Sequence, residues 1–453
     1  MQPLPKEFEE QMKRLLGEAG FFAYLDALNQ PYTRALRVNL LLRPDGTPPC
    51  PIEGLGAPVP WAKGAYFVEG DARPGLSPLH EGGLFYMQEP SALTAVTALD
   101  PQPGERVLDL CAAPGGKSTQ IAALMAGRGL LCCNEPISSR AQILSRNIER
   151  MGVRNAVVLS AMPDALAPRF PAFFDRILVD APCSGEGMFR RQPEARDEWD
   201  ADAPRRCADR QMEILAQAAK MLRPGGTMVY STCTFNDTEN EGVLKRFLAL
   251  HPEFSLVPFA LPGLPEAKDG YLHLYPHEMR GEGHFVSRLK KADGADEADA
   301  PVQAAPQRKA PARAAAKGKA PAPIALPDVF SDAFAPERLY TAGDALWMLP
   351  EGISIERLSG LRVLRTGLLL AHAEGKRSEP DHALAMALRP EEAARTASLT
   401  QTQALAYQAG ETLSLGDLPG GYTLLCCEGV SLGWGKQAGG LMKNHYPKGL
   451  RRR

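Results

Sequence analysis

The most constraining stretch of this chain is Arg106-Val-Leu-Asp-Leu-Cys-Ala-Ala-Pro-Gly-Gly-Lys-Ser-Thr119. Its apolar run Val107 to Leu110 is predicted to be a buried strand, and Ser118 to Ala126 has helix-forming composition. A Pro-Gly-Gly turn joins the two. Strand, glycine turn and helix N-terminus together form a nucleotide-type site, because unpaired backbone N–H groups there can face a closely approaching ligand. Gly115 and Gly116 permit that approach because neither carries a Cβ. The tandem glycines, Pro114 and the uninterrupted strand before them argue against a bare turn.

Two ligand chemistries fit. Gly116, Lys117 and Ser118 satisfy the end of a phosphate-binding G-x-x-x-x-G-K-[ST] loop, but Cys111 stands where its first glycine belongs. Asp109 and the glycine pair satisfy the first glycine loop of an S-adenosylmethionine-dependent methyltransferase. The flanking sequence sets the scaffold. From Leu76 to about Lys291 strands and helices alternate, which predicts an α/β doubly wound, Rossmann-like parallel sheet. Strands are expected at Val107–Leu110, Leu130–Asn134, Ala156–Leu159, Arg176–Asp180, Thr227–Thr232 and Phe285–Leu289. Helices are expected at Gln88–Leu99, Ser118–Ala126, Ser138–Arg150, Arg205–Met221 and Thr238–His251. Ligands of such sheets sit outside the carboxyl ends of the strands. Glu135 closes the second strand, about 20 residues after the glycine loop, where an acid receives ribose hydroxyls; a helix-start carboxylate before Pro136 is the competing role.

Two further strand ends carry chemistry. Asp180-Ala-Pro-Cys183-Ser-Gly-Glu-Gly-Met-Phe-Arg190-Arg191 follows the fourth strand, and Ser231-Thr-Cys233-Thr-Phe-Asn-Asp-Thr-Glu-Asn-Glu241 follows the fifth. One cysteine beside a strand is usually a buried hydrophobe. Two thiols and an aspartate converging on one crevice suit methylation at carbon 5 of a pyrimidine. That carbon is a poor nucleophile until a thiolate adds to carbon 6, which makes it enamine-like. A carboxylic acid that protonates or hydrogen-bonds N3 eases the addition, and a second thiol or base assists proton loss and release. Residue chemistry leaves open which thiol attacks.

Cys111-Ala112-Ala113-Pro114-Gly115-Gly116-Lys117, Asp180-Ala-Pro-Cys-Ser-Gly-Glu-Gly187 and Ser231-Thr-Cys-Thr234 resemble, in order and spacing, the RNA cytosine-5 methyltransferases of the Nol1/Nop2/Sun family. The resemblance spans residues 30–290. The C-terminal Leu432-Gly-Trp-Gly-Lys-Gln-Ala-Gly-Gly-Leu-Met-Lys-Asn-His-Tyr-Pro-Lys-Gly-Leu-Arg451 resembles the PUA-like RNA-binding end of the bacterial F-type 16S rRNA enzymes. The resemblance implies that Cys233 is the nucleophile, that Cys183 assists product release and that Asp180 contacts the cytosine N3 region near the cofactor methyl. It also implies that Cys111 to Lys117, with Glu135, bind S-adenosyl-L-methionine. Many relatives hold the adenine amine with an aspartate after the third strand. Here Ser160-Ala-Met-Pro-Asp164 stands there, so Asp164 carries the role only if displaced by one position. The implied substrate is 16S rRNA or the small ribosomal subunit. A DNA cytosine methyltransferase attacking with Cys183, a P-loop ATPase and a non-catalytic RNA-binding scaffold are the rivals.

The remainder divides into modules. Residues 1–75 are expected to form a small α/β RNA-binding module, with helix at Phe8–Leu16 and Phe21–Leu28 and a strand carrying Arg34 and Arg37. Residues 76–291 form the methyltransferase domain. Residues 292–325 are rich in Ala, Pro, Lys and Arg and cannot bury a core, so a disordered linker is expected. A small mixed α/β domain follows at 326–395, with strands at Leu361–Arg365 and Leu368–Ala373, then a PUA-like domain at 396–453. Net charge is −2, but Lys436, Lys443, His445 and Lys448 cluster near the end. With Arg34, Arg37, Arg190 and Arg191, they are the candidate RNA contacts. No apolar run approaches the roughly 20 residues needed to span a bilayer, and the start is not signal-like. The nine cysteines contain no C-x-x-C pair, and Cys132-Cys133 and Cys426-Cys427 look like core thiols, so no metal is expected. A cytoplasmic monomer is the expectation.

Overall fold

The computed structural model describes residues 3–294, 329, 336–374 and 377–452. The expected linker lies outside the described residues from 295 onward. Its centre is a nine-stranded sheet in the order Phe254–Leu256, His284–Lys291, Leu222–Thr232, Phe174–Asp180, Arg106–Asp109, Leu130–Asn134, Ala156–Leu159, Val363–Arg365, with Tyr271–Leu274 also paired to His284–Lys291. The five strands from Leu222–Thr232 to Ala156–Leu159 run parallel. The outer strands run antiparallel and extend the doubly wound parallel core at both edges.

Alternation along these strands builds two cores. Val107, Leu131, Cys133, Val158, Leu178 and Val229 face one layer with Ile121, Leu144 and Ile148 of the helices Gly116–Leu124 and Ser138–Arg150. Leu108, Cys132, Val157, Ile177, Met228 and Tyr230 face the other, against Leu215 and Phe247 of the helices Ala203–Met221 and Glu241–Leu250. Cys132 and Cys133 therefore point to opposite cores as buried apolar groups. Chain order reverses between Arg106–Asp109 and Phe174–Asp180. Loops leaving those neighbours diverge to opposite faces and open a crevice at the carboxyl ends.

The N-terminal helix Lys6–Leu28 breaks at Gly17. Its Phe8, Met12, Phe21 and Tyr24 pack with Phe189 and Phe235, which belong to the loops after the fourth and fifth strands. A separate sheet follows in the order Leu55–Pro58, Ala65–Val68, Arg34–Val38, Phe85–Gln88. Phe85–Gln88 pairs antiparallel with Arg34–Val38, so this sheet runs past the boundary expected at residue 75. Gln88 accordingly ends a strand rather than starting a helix. Pro90 interrupts the chain, Glu89 accepts from the N–H groups of Ser91 (2.9 Å) and Ala92 (2.8 Å), and the helix begins only at Thr94–Leu99.

Two C-terminal sheets complete the molecule. Leu339–Ala342, Ala345–Met348, Leu368–Glu374 and Arg377–Pro380 form the first; Thr396–Ser398, Gly421–Cys427, Val430–Ala438 and Leu441–Asn444 form the second. The strand expected at Leu361–Arg365 does not join its own module. Val363–Arg365 covers the open edge of the catalytic sheet beside Ala156–Leu159, and Ser160 N–H donates to Arg362 O (2.9 Å). An uncovered parallel edge would leave a row of unpaired backbone groups, and this strand supplies their partners. Among the described residues, no helix is long and apolar enough to cross a membrane.

Candidate active site

Each site residue is held by the element that precedes it. Gly115 caps the helix Gly116–Leu124 at φ +112°, a conformation that favours glycine. A Cβ on Gly116 would lie 3.3 Å from both Tyr86 and Gln88, so the turn passes tightly beneath the N-terminal sheet. Asn147 Nδ2 donates to Pro114 O (2.9 Å), and Thr119 Oγ1 donates to Gly115 O (2.8 Å). Beneath the turn, Ser118 Oγ donates to Asp109 Oδ2 (2.7 Å). Asp109 Oδ1 is buried with no hydrogen-bond partner among the described residues. Burial pushes the Asp109 carboxyl up to about 7.

Asp180 ends the fourth strand and is the hub of the crevice. The Lys117 ammonium donates to its Oδ2 (2.8 Å) and Ser231 Oγ to its Oδ1 (2.8 Å), while His284 Nε2 lies 3.5 Å from Oδ1. Burial alone would raise this carboxyl, but the Lys117 charge, with His284 assisting, outweighs it and holds Asp180 well below the usual carboxylate range. Burial also opposes the Lys117 charge, yet the Asp180 carboxylate holds that ammonium above its ordinary range. Burial and then the Lys117 charge lower His284. The phosphate-loop alternative needs Lys117 on a triphosphate; here it is spent on Asp180.

Cys183 Sγ and Cys233 Sγ lie 3.3 Å apart, and both are free thiols. Hydrogen bonding to Cys233, then burial, pushes the Cys183 thiol well up. A cleft of about 440 Å³ is lined by Cys111 to Pro114, Gly116, Lys117, Asp180, Cys233, His284 and Arg191, among others. Tyr86, Gln88 and Glu89 close it from the N-terminal module. These three, with His284, Glu186 and Glu239, are site residues that the motifs did not single out. Glu186 and Glu239 lay inside the quoted strand-end loops, but their partners belong to the opposite loop, which spacing does not reveal.

Several candidates stand elsewhere. Glu135 is buried, accepts from Ile137 N–H (2.9 Å) and pairs with Arg140 (3.4 Å), which itself lines the cleft. Asp164 is exposed on the short helix Pro163–Leu166 and does not line the cleft. Arg37 is 1% exposed and donates to Thr119 Oγ1 (2.8 Å) and Gly116 O (3.2 Å). Arg190 is equally committed: it forks onto Glu282 (2.6 and 2.8 Å) and donates to Ala27 O (2.8 Å) and Gly281 O (2.9 Å). Both expectations of RNA contact are corrected: these arginines brace the turn and the cleft wall. Arg191 is exposed on the cleft rim. Arg34 donates to Ala72 O (2.8 Å) and Gly70 O within a groove shared with Tyr32, Arg73 and Arg280.

In the last sheet Tyr422 pairs with Lys436 and Lys436 with Lys443, which puts one aromatic ring and two cations in a cross-strand row. Lys436 Nζ lies 4.6 Å from the Tyr422 ring centroid, and the His445 ring meets Tyr422 edge-on at 5.1 Å. Lys443 and Lys448 are exposed.

The fold and the site define a Rossmann-like methyltransferase with further β domains, the last a PUA domain. The family model described as 16S rRNA methyltransferase RsmB/F matches residues 96–290. Models for the N-terminal domain of 16S rRNA methyltransferase RsmF, the RsmF rRNA methyltransferase first C-terminal domain and the methyltransferase RsmF PUA domain match 4–90, 327–388 and 394–452. Ribosomal RNA small subunit methyltransferase F of Erwinia tasmaniensis is 34% identical over 470 residues, covering 98% of this chain and 96% of the relative. A methyltransferase homolog protein from Pyrococcus horikoshii is 30% identical with a TM-score of 0.54, over 63% of this chain and 95% of that one. NSun6 from the same organism, solved with SFG, is 23% identical with a TM-score of 0.55, over 64% of this chain and 99% of that one, and shares the fold. The chain belongs to the 16S rRNA methyltransferase RsmB/F family.

Proposed function

We propose that this protein transfers a methyl group from S-adenosyl-L-methionine to carbon 5 of a cytosine in 16S rRNA, with Cys233 as the nucleophile. The observation that carries the proposal is the convergence of Cys233 and the Asp180–Lys117 ion pair on the cleft of the glycine turn, with the Cys183 sulfur 3.3 Å behind that of Cys233. The residues fit the donor. The cleft volume lies within the usual range of small-molecule sites, its lining joins the glycine turn to Lys117, Asp180 and Cys233, and a Cβ on Gly116 would crowd Tyr86 and Gln88 at 3.3 Å. Cys111 to Lys117 would hold the methionine end, with Glu135 and Arg140 toward the nucleoside; Asp164, outside the cleft lining, is left without a role there. When bound, S-adenosyl-L-methionine supplies an electrophilic sulfonium methyl.

The side chains divide the remaining work. Cys233, once its thiol proton has passed to solvent, adds through Sγ to carbon 6 of the pyrimidine, and the C5–C6 π electrons shift toward N3. Asp180, held ionised by Lys117, contacts the cytosine N3 region by accepting from the exocyclic amine beside it. The Lys117 ammonium beside it is the positive charge available to the electron density that thiol addition pushes into the ring. Cys183, next to Cys233, gives up its own thiol proton to solvent and then, as the thiolate, takes the carbon 5 proton; the C5–H electron pair re-forms the C5–C6 double bond and the C6–S bond breaks, with Cys233 leaving as thiolate. Arg191 at the rim, Arg34 in its groove, and Lys436, Lys443, His445 and Lys448 at the far end are the proposed RNA contacts, acting on phosphate and by stacking.

Two variants test the reading with labelled S-adenosyl-L-methionine and rRNA fragments. Cys233→Ala abolishes transfer, and Cys183→Ala accumulates a protein–RNA adduct that survives denaturing electrophoresis. Full turnover by the first, or transfer to a DNA oligonucleotide in preference to RNA, refutes the proposal. Bisulfite mapping of the modified fragment identifies the cytosine.

A further inference from the structure

The loops that carry the two thiols are fastened to each other by two buried carboxylates. Glu186 lies three residues after Cys183. Its carboxylate accepts from the backbone N–H groups of Phe235 (2.8 Å) and Asn236 (3.0 Å), on the loop of the other thiol. Glu239 lies six residues after Cys233. It accepts in return from Ser184 N–H (3.1 Å), next to Cys183, and from the Ser184 hydroxyl. The Asn236 amide nitrogen stands between the two acids, 3.1 Å from Glu186 Oε1 and 2.8 Å from Glu239 Oε1. Gly187 N–H donates to Cys233 O (2.8 Å), and the Ser184 and Thr234 hydroxyls share a hydrogen bond (2.7 Å).

Supports from outside the loops lock the arrangement. Gln211 Nε2 donates to Glu239 Oε2 (2.7 Å), and Tyr230 OH donates to Glu239 O (2.7 Å). Gln11, on the N-terminal helix, donates to Glu186 Oε1 (2.9 Å). Both acids are 0% exposed, and among the described residues neither has an ion-pair partner. Burying a carboxylate with hydrogen-bond donors as its only partners is costly, because each of its lone pairs must be matched by a placed donor. Burial indeed raises Glu239, with Glu186 adding to it. A fold seeking only stability has cheaper ways to join two loops. The acids are reciprocal: each stands on the loop of one thiol and grips the loop of the other.

We propose that Glu186 and Glu239 are positioning residues that set the distance between the Cys183 and Cys233 sulfurs. Their partners are nearly all N–H donors. A glutamine at either place keeps the shape but turns an NH₂ group toward another donor, so the clasp opens without a change in volume. The catalytic weight of that spacing rests on the two-thiol reading above; the spacing itself is measured without RNA or methyl donor.

The test is oxidative closure of the thiol pair in the full chain. Diamide takes up two electrons and two protons from the thiols and becomes the hydrazine, leaving a Cys183–Cys233 disulfide that peptide mass mapping identifies among the nine cysteines. Wild-type protein is expected to close this bond rapidly. Glu186→Gln and Glu239→Gln are expected to close it at least about tenfold more slowly, since displacements near 1 Å have effects of that size or larger on proximity-driven reactions. Circular dichroism and melting temperature report whether each variant is folded. Folded variants that close the bond at the wild-type rate overturn the proposal, as does a wild type that does not close it. Should either variant fail to fold, Gln11→Ala removes one donor from the outside of the clasp, and an unchanged closure rate there overturns the proposal equally. A slowed closure together with undiminished methyl transfer would retain the positioning role and count against Cys183 and Cys233 acting as a catalytic pair.

Discussion

Asp109 and Asp180 end adjacent strands, and their surroundings drive them in opposite directions. Asp180 gains an ammonium 2.8 Å away and stays charged. Asp109 gains one hydroxyl and burial, and its carboxyl rises to about 7. The folded protein thus keeps a proton on Asp109 that the unfolded chain releases near the ordinary carboxylate value. Native protein binds the extra proton between that value and about 7, so this group's contribution is full in acid and is lost as pH rises through that window. Asp109→Asn, which still accepts from Ser118, should therefore gain stability relative to wild type between pH 5 and pH 8, on the order of 2 kcal/mol. Melting curves at the two pH values check this, and a pH-independent difference would count against it. Both aspartates were visible in the strand-end motifs. Their opposite states were not, because a protonation state follows from distances to Lys117 and Ser118 that only folding sets. Arg37 and Arg190 are buried braces and not surface cations for the same reason: a charged residue in sequence carries no mark of whether its side chain ends in solvent or inside the protein.

Two elements take roles their own segments do not announce. The cross-strand row of Tyr422, Lys436 and Lys443 was legible only as a basic, aromatic tail; antiparallel pairing turns it into one face. Lys436→Ala and Lys443→Ala should each lower the slope of log affinity against log salt for rRNA by about 1, as loss of one phosphate contact does. Arg37→Met should leave that slope unchanged while lowering the melting temperature, which separates a brace from a contact. The strand Val363–Arg365 is the second case. The sequence predicted a strand there, but not its partner, since pairing between Val363 and Leu159, far apart in the chain, has no local signal. Arg365 also pairs with Glu149 on the helix Ser138–Arg150. A chain ending at residue 294 loses this cover and is expected to aggregate at concentrations where the whole protein stays dispersed, as light scattering will read. Equal dispersion of the two would show that the edge needs no cover.

At the scale of the whole molecule, the modules share their cores. Leu36, Val38, Leu84 and Phe85 of the N-terminal sheet pack with Leu425, Val430, Leu432 and Tyr446 of the last domain. Trp434 and Leu424 pack with Leu370 and Leu384 of the domain before it. Gly83 marks how closely the N-terminal sheet meets the central domain: at φ +73°, a Cβ there would lie 2.0 Å from the carbonyl oxygen of Arg150, at the end of the helix Ser138–Arg150. Gly83→Ala should cost about 2 kcal/mol through strain and forced separation, and one cooperative melting transition should shift as a unit. A second transition appearing on its own would show that the seam is not shared. The amino-acid order alone determined the central alternation of strands and helices, the glycine turn and the chemical groups at the strand ends, because these arise from periodicity and residue type over short distances. Folding decided which thiol meets which acid, which arginines are buried, and which strand covers the sheet edge. Those outcomes depend on contacts between residues far apart in the chain, and on the burial those contacts create.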